Sequence, residues 1–207
     1  VLTKHDADTF SKIKKNGGIK EVALPASSIS TADMPDKEYD IGLIGSWTWK
    51  ANEEGLRWFF DQVYPLLPTG LSIRVAGNGA QWLAGRYTNV KYVGFVDDAS
   101  LFLQRARVIA IPTLSGGGIQ IKTLDAIASG SRIVSTALAL RGIQEFPQTV
   151  TIADNPGHFS ERLLFAIATI DGEGLLSHEA IRWSANRQTN FRNEIERDVQ
   201  TLSTMKS

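Results

Sequence analysis

Five short apolar runs constrain the fold of this chain more than any other feature. They are "YDIGLIG" (39–45), "LSIRVAG" (71–77), "VKYVGF" (90–95), "RVIAIPT" (107–113) and "SRIVSTA" (131–137). Rich in Val and Ile and mostly closed by Gly, Pro or Thr, they read as buried strands. Helical patterns lie between them. Residues 52–67 put Leu56, Phe59, Phe60, Val63 and Leu67 on one stripe at spacings of three and four. Asn52 reads as the N-cap of that helix, with Glu53 and Glu54 in its first turn. Residues 97–105 and 119–129 read as two more helices, Asp97 and Asp98 being N-cap and first-turn acid of the former. Parallel strands need crossovers, so repeated strand–helix units predict an α/β fold, a doubly wound parallel sheet.

The ends differ from this middle. Residues 1–38 predict a helix (Asp6 to Lys15), a short strand (Glu21–Leu24) and a Ser/Thr/Asp/Pro-rich linker. Residues 39–176 form the sheet domain. Residues 154–204 predict two or three helices, the last from about Ser177 to Leu202. Its apolar residues Ile181, Trp183, Phe191, Ile195, Val199 and Leu202 predict one narrow packed face, and Arg187, Arg192 and Arg197 a solvated one. With 43% hydrophobic residues the chain can bury a sizeable core. Lys plus Arg and Asp plus Glu are equal at 22 each, which leaves no basic surplus for nucleic acid. The chain has no cysteine, hence no disulfide. No apolar run approaches the ~20 residues of a membrane span, and no secretory leader opens the sequence. The first residue is Val, from which a fragment of a longer protein or a processed chain is expected.

The stretch "LSGGGIQIKTLDAIASG" (114–130) stacks three glycines before a helix expected from Ile119. Each glycine costs roughly 0.5–1 kcal/mol against alanine in regular structure, so something needs bare backbone there. Ligands of doubly wound sheets bind beyond the carboxyl ends of the strands, where loops enter helices. The first amides of a helix lack internal partners, and glycines let a phosphate approach them closely. Lys122, a cation in the first turn, is unfavourable unless an anion lies nearby. Asp125, one turn on, is placed to accept from a sugar hydroxyl. A solvated lysine and an exposed aspartate on a plain strand–helix turn are the alternative. The glycine-closed "RVAGNG" (74–79) supplies a second turn to the same crevice, although neither GxxxxGK[ST] nor GxGxxG is present.

The segment "GGGIQIKTLDAIASGSRIVST" resembles the donor-binding segment of the GT-B glycosyltransferases, glycosyltransferase family 4 (group 1) above all. Three further stretches match in the same order. "IGLIGSWTWKANEEGLRWFFDQVYPLLP" (41–68) resembles the first strand, turn and helix of that domain. "LSIRVAGNG" (71–79) resembles its second strand, and "VKYVGFVDDASLFLQRARVIAIPT" (90–113) the base-side strand and its successor. The resemblance covers about residues 39–143.

It implies the Rossmann-like C-terminal domain of a two-domain enzyme that transfers a hexose-type sugar, usually with retention. A nucleotide-sugar is then the substrate, UDP-sugar ranking before GDP-sugar, with no cofactor and no metal. The diphosphate would lie on Gly116, Gly117, Gly118, Ile119 and Lys122, and against Gly45 and Ser46 after the first strand. Asp125 would grip the ribose, and Gly94, Phe95 and Val96 would contact the base. Residues 1–38 would come from the hinge with an N-terminal domain that holds a glycan or lipid acceptor. The helix from 177 to 207 would pack back towards that domain. A cytoplasmic protein is implied, peripheral association with a membrane being compatible with it.

The sequence departs from the family pattern at three positions. Gly117 stands where the first of two glutamates is usual, Ser46 where an arginine is, and Ala51 where a lysine is. Lys122 would supply the missing phosphate cation; no catalytic group is assigned. An epimerase or phosphorylase on the same fold, and a non-catalytic Rossmann-like module, are the rival readings. His5, His158 and His178 lack metal-ligand spacing; the resemblance sets His5 near the hinge. Trp47 and Trp49 are candidates either for stacking on a sugar or for burial. Arg141, after the fifth strand, is expected to face the crevice.

Overall fold

The computed structural model describes residues 7–8, 12, 22–26, 35–169 and 173–204. Six strands form one parallel sheet: β1 (Tyr39–Ile44), β2 (Ile73–Ala76), β3 (Val90–Gly94), β4 (Ala106–Ile111), β5 (Arg132–Ser135) and β6 (Val150–Ile152). Their order is β3-β2-β1-β4-β5-β6, with Ile41 opposite Ile73 on one side and Val108 on the other. Sequence order reverses between β1 and β4, which makes that junction the switch point where such sheets open a crevice. The strand β6 goes beyond the five sequence runs, because "VTI" is only three residues long. It lies just before the region expected to be helical.

Helices cover both faces: α1 (Lys50–Trp58), α2 (Ala99–Gln104), α3 (Ile121–Ala128), α4 (Pro156–Ala168) and α5 (Glu173–Thr204). The period of two along each strand divides the core. In β4, Val108 and Ala110 face one cluster with Leu56, Phe59, Phe60, Val63, Phe159 and Leu163. Ile109 and Ile111 face the other, with Phe102, Leu103, Leu124 and Ile127. Each of these large side chains contributes about 1.5–3 kcal/mol by leaving water. Leu67 completes the buried stripe foreseen from the sequence.

The helix expected over 52–67 is corrected in two ways. It begins at Lys50 with Trp49 as N-cap, so Asn52 lies inside the first turn. It then loosens into a π turn at Phe59–Val63 and tightens into a 3-10 turn at Tyr64–Leu66. Pro65 explains the break: it lacks an amide, and its ring would strike the carbonyl of Asp61. In α2, Asp98 is the N-cap, its carboxylate accepting from Leu101 N at 2.8 Å; Asp97 lies before it.

The helix α5 is longer than expected and packs through its first half. Trp183 packs on the second cluster and its indole donates to Glu145 O at 2.6 Å. Arg187 is not simply solvated: it donates to Leu24 O at 2.7 Å and lies over the Trp183 ring. Arg192 and Arg197 are exposed, and so are Ile195 and Val199, at 42% and 56%. The short strand expected at 21–24 is absent over Val22–Leu24, where the chain lies against α5 instead. Ala7, Asp8 and Lys12 are helical; His5 and most of the linker lie outside the described residues.

Candidate functional site

The carboxyl ends of β1, β2 and β3 are tied to one another through their main chains. Gly77 N donates to Gly94 O at 2.6 Å, and Trp47 N to Asn78 O at 2.8 Å. A Cβ on Gly77 would lie 1.8 Å from Gly45 O, and Gly77 has φ +103°, so this turn admits only glycine. Trp47 is 2% exposed, and its indole donates to Ala76 O at 2.8 Å; it is a buried floor. Trp49 is 72% exposed beside it.

The loop after β4 is longer than the sequence suggests, since β4 ends at Ile111 and α3 begins at Ile121, two residues after the expected start. Thr113 anchors its near end: Thr113 N donates to Thr136 Oγ1 at 3.2 Å, and Thr136 Oγ1 donates to Thr113 O at 2.6 Å. Ser115 donates to Glu54 at 2.6 Å, fixing the loop on α1. Nothing lies within 4 Å of where a Cβ on Gly117 or Gly118 would be. Among the described residues, the amides from Gly116 to Lys122 find no acceptor within the protein. Ile119 lies in this loop, partly buried against the second cluster.

Lys122 reaches across from α3 to α1. Its Nζ donates to Asn52 Oδ1 at 2.8 Å and sits 5.6 Å from the centre of the Trp47 ring. Asn52 Nδ2 donates in turn to Ser46 O at 2.8 Å, so one side chain joins the first turn to the glycine loop. Burial lowers the Lys122 pKa from 10.5 to about 8, because desolvation penalises the charged form. Lys122 makes no ion pair with a carboxylate among the described residues. The bridging role of Asn52 has no signal in sequence spacing.

The structure thus brings Gly45, Ser46, Gly116, Gly117, Gly118, Ile119 and Lys122 to one edge. Asp125 is half-buried, one helical turn into α3. Gly94, with φ +69°, ends β3; Phe95 is 72% exposed and Val96 partly packed. Arg141 is half-exposed and bound to the glycine loop. Its guanidinium donates to Gly116 O at 2.6 Å and to Gly118 O at 2.8 and 3.1 Å. His158 lies in the first turn of α4, where Arg162 Nε donates to its Nε2 at 2.8 Å, and His178 is exposed. Among the described residues no cluster of His, Asp and Glu could hold a metal ion. No described helix is long and apolar enough to cross a membrane.

The sequence matches the family described as Glycosyl transferases group 1 over residues 38–168, more than half of the chain. The chain belongs to the group 1 glycosyl transferases. No curated protein matches it. Its fold is that of solved GT-B glycosyltransferases. It is similar to S. aureus TarM, solved with Fondaparinux, alpha-GlcNAc-glycerol and UDP, at 13% identity and a TM-score of 0.68 over 98% of this chain and 43% of that one. WaaG, a glycosyltransferase involved in lipopolysaccharide biosynthesis, is similar at 16% identity and a TM-score of 0.68, over 96% and 61%. Anabaena HepE, solved with UDP and glucose, is similar at 16% identity and a TM-score of 0.56, over 81% and 48%. At such identities the likeness is one of fold. This group 1 glycosyl transferase chain spans 43% to 61% of the length of those three proteins.

Proposed function

We propose that this chain is the donor-binding half of a glycosyltransferase that holds a nucleoside-diphosphate sugar, UDP-sugar before GDP-sugar. One observation carries the reading. Among the described residues, the amides from Gly116 to Lys122 have no acceptor and Lys122 stands beside them without a carboxylate partner. A run of open amides at a helix start together with an uncompensated ammonium suits a pyrophosphate. TarM and HepE, both solved with UDP, share the fold, which supports the choice of base.

In this reading Gly116, Gly117, Gly118, Ile119 and Lys122 hold the diphosphate, with Gly45 and Ser46 across the crevice. Asp125 takes the ribose, and Gly94, Phe95 and Val96 line the base. These donors are fixed before reaction, so they stabilise the charge that develops on the leaving diphosphate. A hexose-type sugar passes, with retention, to a glycan or lipid acceptor held by a second domain. Residues 1–38 would be the hinge with that domain and residues 177–207 a helix packing towards it, the protein working in the cytoplasm or peripherally at a membrane. Calorimetric titration with UDP and GDP tests the donor site. Binding of UDP that weakens on Lys122→Met supports it; no heat with either nucleotide at about millimolar concentration overturns it.

A further inference from the structure

We infer that Arg141 is a positioning residue that aims the amides of Gly117 and Ile119 into the crevice. The inference rests on the donor-binding reading above. A trans peptide sets its C=O and the following N–H on opposite sides, and no described residue has a cis bond. Arg141 holds Gly116 O through Nη1 at 2.6 Å, and Gly118 O through Nε and Nη2 at 3.1 and 2.8 Å. The next amides, on Gly117 and Ile119, therefore both point away from the guanidinium. Gly116 at φ +111° and Gly118 at φ +72° supply the backbone turns that put both carbonyls on one side.

The brace itself is anchored. A 3-10 turn at Ala137–Leu140 leads into Arg141, and Ala137 N donates to Asp154 Oδ1 at 2.8 Å. Leu140 and Ile143 are buried on either side, and Gly142 takes φ +78° to make the bend. A planar fork with several donors holds two carbonyls in one fixed geometry; an ammonium on a flexible stem has rotatable donors and fixes neither carbonyl's direction as well. The guanidinium has no carboxylate partner among the described residues, so its charge adds to the positive field behind the loop.

The experiment compares the unaltered chain with Arg141→Gln and Arg141→Lys. UDP binding is read by calorimetry, uridine binding by NMR titration, and the amide resonances of Gly117 and Ile119 without nucleotide. Loss of the brace should weaken UDP about tenfold or more in the Gln variant, and nearly as much in the Lys variant. Uridine, which lacks phosphate, should bind all three alike. The Gly117 and Ile119 resonances should shift or broaden while the rest of the spectrum, and so the fold, stays unchanged. UDP binding within about twofold in the Gln variant, or full affinity in the Lys variant, overturns the proposal. If the unaltered chain binds no UDP, the donor reading fails. The brace is then judged by the amides alone, and unchanged Gly117 and Ile119 resonances in Arg141→Gln sink it.

Discussion

Lys122 Nζ donates to Asn52 Oδ1 at 2.8 Å, across 70 positions of sequence, and with the Ser115–Glu54 bond it ties the two sides of the switch point together. It gives a half-buried ammonium a neutral partner in place of a carboxylate. The charge is held but not neutralised, which is the condition an anion site needs.

The pH dependence of stability follows from that burial. Lys122 titrates near 8 in the fold and at 10.5 in the unfolded chain. Between these values the unfolded chain binds more protons, so stability should rise with pH from about 8 to 10.5. Below pH 8 both states are charged and the cost of burying the ammonium is fully present, roughly 3 kcal/mol at most. Urea titrations across this range should show the rise in the unaltered chain and lose it in Lys122→Met. Binding of UDP should take up a proton at pH 8–9, seen as a dependence of calorimetric heat on buffer ionisation. Zero uptake would separate Lys122 from the phosphate.

Replacing Asn52 by Asp makes the neutral partner a carboxylate. The Lys122 pKa should climb back above 8, and UDP affinity should drop about tenfold as the paired ammonium no longer serves the ligand. NMR titration of the Lys122 side chain together with calorimetry checks both effects. Unchanged affinity with a raised pKa would show that Lys122 does not meet the nucleotide.

The two tryptophans of "SWTWK" should respond oppositely. Trp47→Ala removes a buried ring and its bond to Ala76 O, and should cost about 3–5 kcal/mol in chemical denaturation. Trp49→Ala, at an exposed position, should stay within about 0.5 kcal/mol. Equal losses would mean that both rings are structural.

Glycine positions give a matched pair. Gly77→Ala sets a methyl 1.8 Å from Gly45 O at a left-handed backbone angle, and should cost about 3 kcal/mol or more. Gly85→Ala meets no atom within 4 Å at φ +72°, so only the conformational cost of about 1–2 kcal/mol applies. Similar midpoints for the two variants would refute the close approach of the two turns.

Sequence periodicity and composition were enough to establish the doubly wound sheet, five of its strands, the buried stripe from Leu56 to Leu67 and the glycine-rich turn before α3. Those features are local: spacing along the chain decides which side chains share a face, and glycines report backbone freedom wherever they fall. Tertiary structure alone decided the rest. It made Asn52 a bridge instead of a cap, buried Trp47 and left Trp49 exposed, turned Arg141 onto the carbonyls of Gly116 and Gly118, and paired the three-residue β6 with β5. Each of these depends on which residues meet across 17 to 70 positions of chain. Such meetings are settled by the packing of helices on the sheet, which no pattern within a single segment encodes.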